Sequence, residues 1–260
     1  MGQGRKVVLL IAAGVVVLAG LAWLNRPQDE ATKATVDDAI RSFRAERDAG
    51  ERARESGPKE PALGVYRYAT RGEETVKSGA FGATHGYDGL STIVLSAGRC
   101  GQRERWQVLA GRWSEGEACS ATNGGASATL IEFHEFFETP QEDSYRCHFS
   151  SASGASAPRV GARFSSFCRS EDSSISIDSR VVGIESVAVG DQAFDATHIV
   201  SRSSLGGKTS GSATREEWRR RSDGLLLRRA SESEADTSDG GGSHYSEQYA
   251  LRLLSTTPQR

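Results

Sequence analysis

Residues 7–24, VVLLIAAGVVVLAGLAWL, form one apolar run with no charge and no polar side chain. No other segment restricts the chain as strongly. As a helix rising 1.5 Å per residue, a run of this length spans about 27 Å, close to the hydrocarbon core of a bilayer. Arg5, Lys6 and the amino terminus precede it, while Arg26, Asp29 and Glu30 follow. The positive-inside rule therefore places residues 1–6 in the cytoplasm and everything beyond the run outside. A cleaved signal peptide is the alternative, with Gly20-Leu21-Ala22 as a small-x-small site. Its apolar region would normally be about 7–15 residues, and here the run continues through Trp23 and Leu24. We expect a retained signal-anchor at 7–24, a stalk and linker over 25–62, and an extracytoplasmic domain over 63–258. That is the topology of a single-pass protein of a bacterial cell envelope. No cysteine stands directly after the run, which argues against lipid modification there.

The cysteines point the same way. Cys100, Cys119, Cys147 and Cys168 all lie beyond the apolar run. An even number in an exported domain predicts two disulfides, with three connectivities open. Pairing in sequence order would close two short loops. Close Cys-x-x-Cys spacing, as a zinc site requires, is absent, and no metal or other cofactor is expected. The formal net charge is −2, and removing Arg5, Lys6 and Arg26 makes the remainder more acidic. A general nucleic-acid binder would be strongly basic.

Between the run and the domain, Val36, Ile40 and Phe43 recur at helical spacing. They predict a short amphipathic helix over 34–47, read as a solvated stalk. Residues 46–60 are almost wholly charged or small, broken by Gly57, Pro58 and then Pro61, as in a linker.

From Leu63 onward the pattern is β. Strands are predicted at 64–70, 91–95, 103–109, 128–137, 181–189, 193–203, 213–221, 225–232 and 243–254, separated by glycine-rich or polar turns. Val189-Gly190-Asp191-Gln192 and Ser222-Asp223-Gly224 read as hairpin turns. A curved antiparallel sheet or half-barrel is expected, with a β-sandwich as the alternative. Arg103-Glu104-Arg105-Trp106 echoes Arg215-Glu216-Glu217-Trp218, and Thr139-Pro140 echoes Thr257-Pro258. The echoes suggest two related β units, 63–140 and 182–258.

Gly183 to Gly190 with Phe194-Asp195-Ala196, then Trp218, Gly224-Leu225 and a closing strand from Tyr245 to Leu254, resemble exported antiparallel-sheet domains of the LolA/LppX-like lipoprotein carrier type. The resemblance covers about 75 residues. It implies a curved sheet that holds acyl chains against a helical lid. This sequence shows no helix within its β region to serve as that lid.

Catalytic motifs are missing. His134-Glu135-Phe136-Phe137-Glu138 has Glu138 where a zinc-protease helix needs its second histidine, and the surrounding residues read as a strand. No Gly-x-Ser-x-Gly elbow occurs. Ser204 and Lys208 miss the spacing of exported acyl-serine enzymes. The acidic stretch 232–239 misses the calcium-loop pattern, which needs glycine where Asp239 stands. A non-enzymatic binding module is therefore expected, for a hydrophobic ligand or an envelope protein. An envelope hydrolase or an assembly component is the alternative. Tyr66, Tyr68, Trp106, Trp113 and Trp218 are candidate wall residues for an apolar ligand. Arg219, Arg220, Arg221, Arg228 and Arg229 flank one hairpin turn and are candidates for contact with an anionic surface.

Overall fold

A computed structural model describes residues 31–48, 60–87, 89–119, 127–149, 159–237 and 242–260. The expected membrane span lies outside them. Among the described residues, no helix is long and apolar enough to cross a membrane.

Helix α1 is Val36–Asp48. Thr35 caps it: the Asp38 amide donates to Thr35 Oγ1 at 3.1 Å, and that hydroxyl donates back to the Asp38 carboxylate at 2.6 Å. One free amide of the first turn and the Thr35 hydroxyl thereby gain partners. The helix is not free in solvent, as a stalk would be. Ala39 and Phe43 are buried against Val65, with Ile40, Leu63 and Val94 around them.

The remainder is antiparallel β: β1 (Gly64–Ser78), β2 (Phe81–Gly86), β3 (Gly89–Ala97), β4 (Gln102–Leu109), β5 (Arg112–Cys119), β6 (Ser127–Phe136), β7 (Thr139–Phe149), β8 (Arg163–Arg169), β9 (Ser173–Val189), β10 (Gln192–Gly207), β11 (Thr209–Arg220), β12 (Leu226–Thr237) and β13 (Ser243–Leu253). Each strand from β3 to β13 pairs with its sequence neighbour, and β13 pairs back onto β1. Strands β2 and β3 share one side of β1, at its two ends. The result is a closed barrel of 12 staves. Closure corrects the expected half-barrel and its sandwich alternative, and it leaves far fewer unpaired strand edges. The stretches 63–140 and 182–258 both belong to this one sheet.

Alternation explains which residues fill the barrel. Tyr66, Tyr68, Ile93, Trp106, Tyr249 and Leu251 point inward and are almost wholly buried, with Trp106 stacked on Tyr249 at 4.5 Å between ring centroids. Val65 and Val94, one residue out of phase, face outward to α1. A second inner cluster joins Tyr145, Cys147, Cys168 and Ile175. Gly72 marks the point where β1 changes partners from β3 to β2. Its φ is +141°, and an added Cβ would lie 2.1 Å from the Gln248 carbonyl oxygen on β13. Only glycine fits that approach of two backbones.

The disulfides join Cys100 to Cys119 and Cys147 to Cys168, pairing in sequence order. Cys147 and Cys168 are directly opposed on β7 and β8. The ladder between these strands has only four residue pairs, Arg146 with Arg169, Cys147 with Cys168, His148 with Phe167, and Phe149 with Ser166. The covalent bond therefore reinforces a short seam.

Candidate functional site

Two charge networks, one buried and one partly buried, tie opposite walls of the barrel together. In the first, Glu74 of β1 is fully buried. Its carboxylate accepts from His85 Nδ1 at 3.2 Å, His134 Nδ1 at 3.1 Å and the Tyr245 hydroxyl at 3.2 Å. Burial alone would raise its pKa. The hydrogen bonds from His134 and His85, and then the charges of His134 and Arg112, overcome that penalty and hold the carboxyl at about 2. Arg112 of β5 forms a forked pair with Glu247 of β13 at 2.8 and 3.1 Å and reaches Glu132 at 3.1 Å. Tyr87 donates to the same Glu247 at 2.8 Å.

The second network joins Glu104 of β4 and Glu217 of β11 to Arg219 and Arg229, at 2.7–3.2 Å. Burial opposes ionisation of both carboxyls, but the two guanidinium charges hold them below the usual carboxylate range. Each buried charge thus has a partner, as a low-dielectric interior requires. These enclosed groups spend their hydrogen bonds on the protein itself. They serve as ties across the lumen.

The residues singled out in the sequence fall into different surroundings. Tyr66, Tyr68 and Trp106 lie inside the barrel, each no more than 1% exposed. The Tyr68 hydroxyl donates to the Leu226 carbonyl and the Trp106 indole to Ser91. Burial pushes the Tyr66 phenol up to about 12. Trp113 is on the outer wall, stacked on Phe133 at 5.1 Å and covered by the Arg105 guanidinium at 3.9 Å. Trp218 points away from the inward-facing Glu217 and Arg219. It is held between His198 of β10 at 4.2 Å and Arg228 of β12 at 4.4 Å.

The five arginines do not make one patch. Arg219 and Arg229 turn inward to Glu104 and Glu217, Arg220 is paired with Asp223, and Arg228 lies over Trp218. Arg221 is exposed, and among the described residues it forms no ion pair. A β-bulge between Trp218 and Arg219 sets this arrangement. His134 and Glu135 lie on strand β6, not on a helix. Cys100, Glu117 and Cys119 bring three potential metal ligands together, but both sulfurs are committed to a disulfide.

The sequence reading missed a different place, the outer wall over the β7–β8 seam. An open cavity of about 710 Å³ is lined there by Ser144, Arg146, His148, Phe167, Arg169, Ser170 and Glu171. That volume lies within the range of small-molecule sites. Cys147 and Cys168 point inward, so their chain neighbours Arg146, His148, Phe167 and Arg169 point outward. The disulfide fixes all four on a common register. Arg146 and Arg169 are directly opposed, a like-charge juxtaposition that destabilises a sheet. Among the described residues, neither forms an ion pair with a carboxylate. The Arg169 guanidinium lies 5.6 Å from the Phe167 ring centroid, and that ring is 42% exposed. The signal was present in the sequence as Arg-Cys-His and Phe-Cys-Arg, two cysteines each flanked by a basic residue. Only the pairing of the strands reveals that these triplets face one another.

Comparison with protein-family models, curated proteins and solved structures gave no match.

Proposed function

We propose that this chain is a non-enzymatic binding module, held in the cell membrane by residues 7–24, whose extracytoplasmic barrel recognises an anionic ligand on its outer wall. The observation that carries this reading is the opposed Arg146–Arg169 pair over a cavity, with no carboxylate ion pair to either among the described residues. Two like charges held side by side cost stability, and a bound anion with two oxygens would offset that cost by bridging them. The lumen is a poorer place for the apolar ligand expected from the sequence. Three of its five candidate wall residues, Tyr66, Tyr68 and Trp106, are packed there against neighbouring side chains.

The test uses full-length protein in zwitterionic nanodiscs, passed over immobilised polyphosphate. Retention at low salt, weakened by added salt and lost in the Arg146→Gln/Arg169→Gln double variant, is the expected result. Arg41, which pairs with Asp38 on α1, provides the control, and Arg41→Gln should be retained like the wild type. Equal retention of the wild type and the double variant, or none of either, overturns the proposal. The same protein, expressed in a bacterium, should stay with the membrane through alkaline carbonate extraction.

A further inference from the structure

Building on that reading, we propose that the β7–β8 pocket is a site for an acidic saccharide, a sugar bearing a carboxylate or phosphate. The chemistry of the lining is divided in the way such a ligand requires. Arg146 and Arg169 present two guanidinium forks on one side, and planar forks bind a two-oxygen anion better than point charges do. Phe167 offers a partly exposed aromatic face beside them, a platform for the C–H face of a sugar ring. Ser144 supplies a hydroxyl, and Glu171 supplies an acceptor for sugar hydroxyl protons, while the Ser170 hydroxyl is spent on Ser173. A bare inorganic anion would use the arginines but would gain nothing from Phe167 and would be repelled by Glu171. A neutral sugar would leave the arginine pair uncompensated.

The outer wall continues this chemistry along β8. Arg163 is directly opposed to Arg180 of β9, and both are exposed. Arg163 and Arg169 are six residues apart on one strand and face the same way, which sets the two pairs roughly 20 Å apart. Asp178, opposite Ser165, lies between them. An oligosaccharide with several acidic units could therefore reach both arginine pairs.

The disulfide is the positioning device for this site. Cys147 and Cys168 touch no ligand, but each sits between two of the four outward side chains that form the pocket. Holding Arg146 against Arg169 works against their mutual repulsion. A covalent bond between the adjacent residues keeps the two forks in place when the site is empty, so less ordering is needed on binding.

The experiment is calorimetric titration of the full-length protein in zwitterionic nanodiscs with tetragalacturonate, a glucose phosphate, maltotetraose and inorganic phosphate. The two acidic sugars should bind tighter than both maltotetraose and inorganic phosphate. Arg146→Gln and Arg169→Gln should each weaken them by about tenfold or more, as expected for hydrogen bonds to a charged group. Arg146→Lys, which keeps the charge and loses the fork, should recover only part of that loss. Phe167→Ala should weaken the sugars by about threefold or more and leave inorganic phosphate unchanged. Equal binding of inorganic phosphate and the acidic sugars, with no effect of Phe167→Ala, overturns the saccharide assignment and leaves the anion-binding reading standing. Absence of binding by every anion overturns both. Binding of maltotetraose as tight as that of tetragalacturonate removes the role given to the arginine pair. Loss of sugar binding on reduction of the Cys147–Cys168 bond, in protein whose circular dichroism is unchanged, supports the positioning role. Unchanged binding on reduction refutes that role.

Discussion

Glu74 shows how much one buried carboxylate can carry. Its three hydrogen-bond donors come from three different strands or their junctions: His85 on β2, His134 on β6 and Tyr245 on β13. Replacing it with glutamine keeps the shape and removes the charge these groups were arranged around. We expect Glu74→Gln to cost about 3 kcal/mol at pH 7, in line with breaking other buried ion pairs, measured by urea unfolding. The pH dependence has a definite sign. The folded pKa is lowered from 4.5 to about 2, so the stabilisation is fully present above 4.5 and is lost as pH falls through 2. The difference between wild type and variant should therefore shrink over that interval. A difference that holds constant down to pH 2 would show that Glu74 acts through packing alone.

The elements were unevenly legible. Nine predicted strands overlap strands of the structure, and both proposed hairpin turns, at Gly190-Asp191 and Ser222 to Gly224, join consecutive strands. β2, β5, β7 and β8 escaped notice, and for β5 and β7 the reason is physical. In β5, Arg112 points into the lumen and Trp113 points out, the reverse of the usual apolar-in pattern. In β7 only Tyr145 and Cys147 are buried among polar neighbours. A lumen filled partly with ion pairs weakens the alternation from which strands are read. The arginine hairpin was misread as a patch for the same reason, since two of its arginines serve interior carboxylates. The pocket escaped because its residues come from two strands that were not recognised.

At this scale the short β7–β8 seam is the element to test. Cys147→Ala/Cys168→Ala opens a loop of 21 residues, and we expect a loss of about 3 kcal/mol. Hydrogen exchange should accelerate first at residues 146–149 and 166–169, while the long β9–β10 ladder stays protected. Uniform acceleration along the whole barrel would mean that the seam is not a separate unit.

For the whole molecule, closure depends on one residue that carries no side chain. At Gly72, β1 passes from one partner to the next, and its carbonyl accepts the Tyr87 amide at 2.8 Å in the break between β2 and β3. A methyl group there collides with the β13 backbone, so the cost falls on the ring as a whole. Gly72→Ala should destabilise the barrel by about 2 kcal/mol or more, through a strained φ combined with an overpacked contact. Chemical unfolding measures it directly, and a change below about 0.5 kcal/mol, the scale of a neutral surface substitution, would show that the seam can widen freely. The closed ring was not visible in the sequence, because the β1–β13 pairing joins residues near opposite ends of the domain and leaves no local pattern.

The position of the second disulfide has a consequence for when the molecule becomes competent. Thiols stay reduced in the cytoplasm and oxidise outside it. Until Cys147 and Cys168 are joined, two mutually repelling arginines face each other across the shortest ladder of the ring. On the proposed topology, the same oxidising compartment that closes this bond would bring Arg146 and Arg169 into register. Under that proposal, a reduced chain would carry every residue of the pocket without the covalent bond that aligns them.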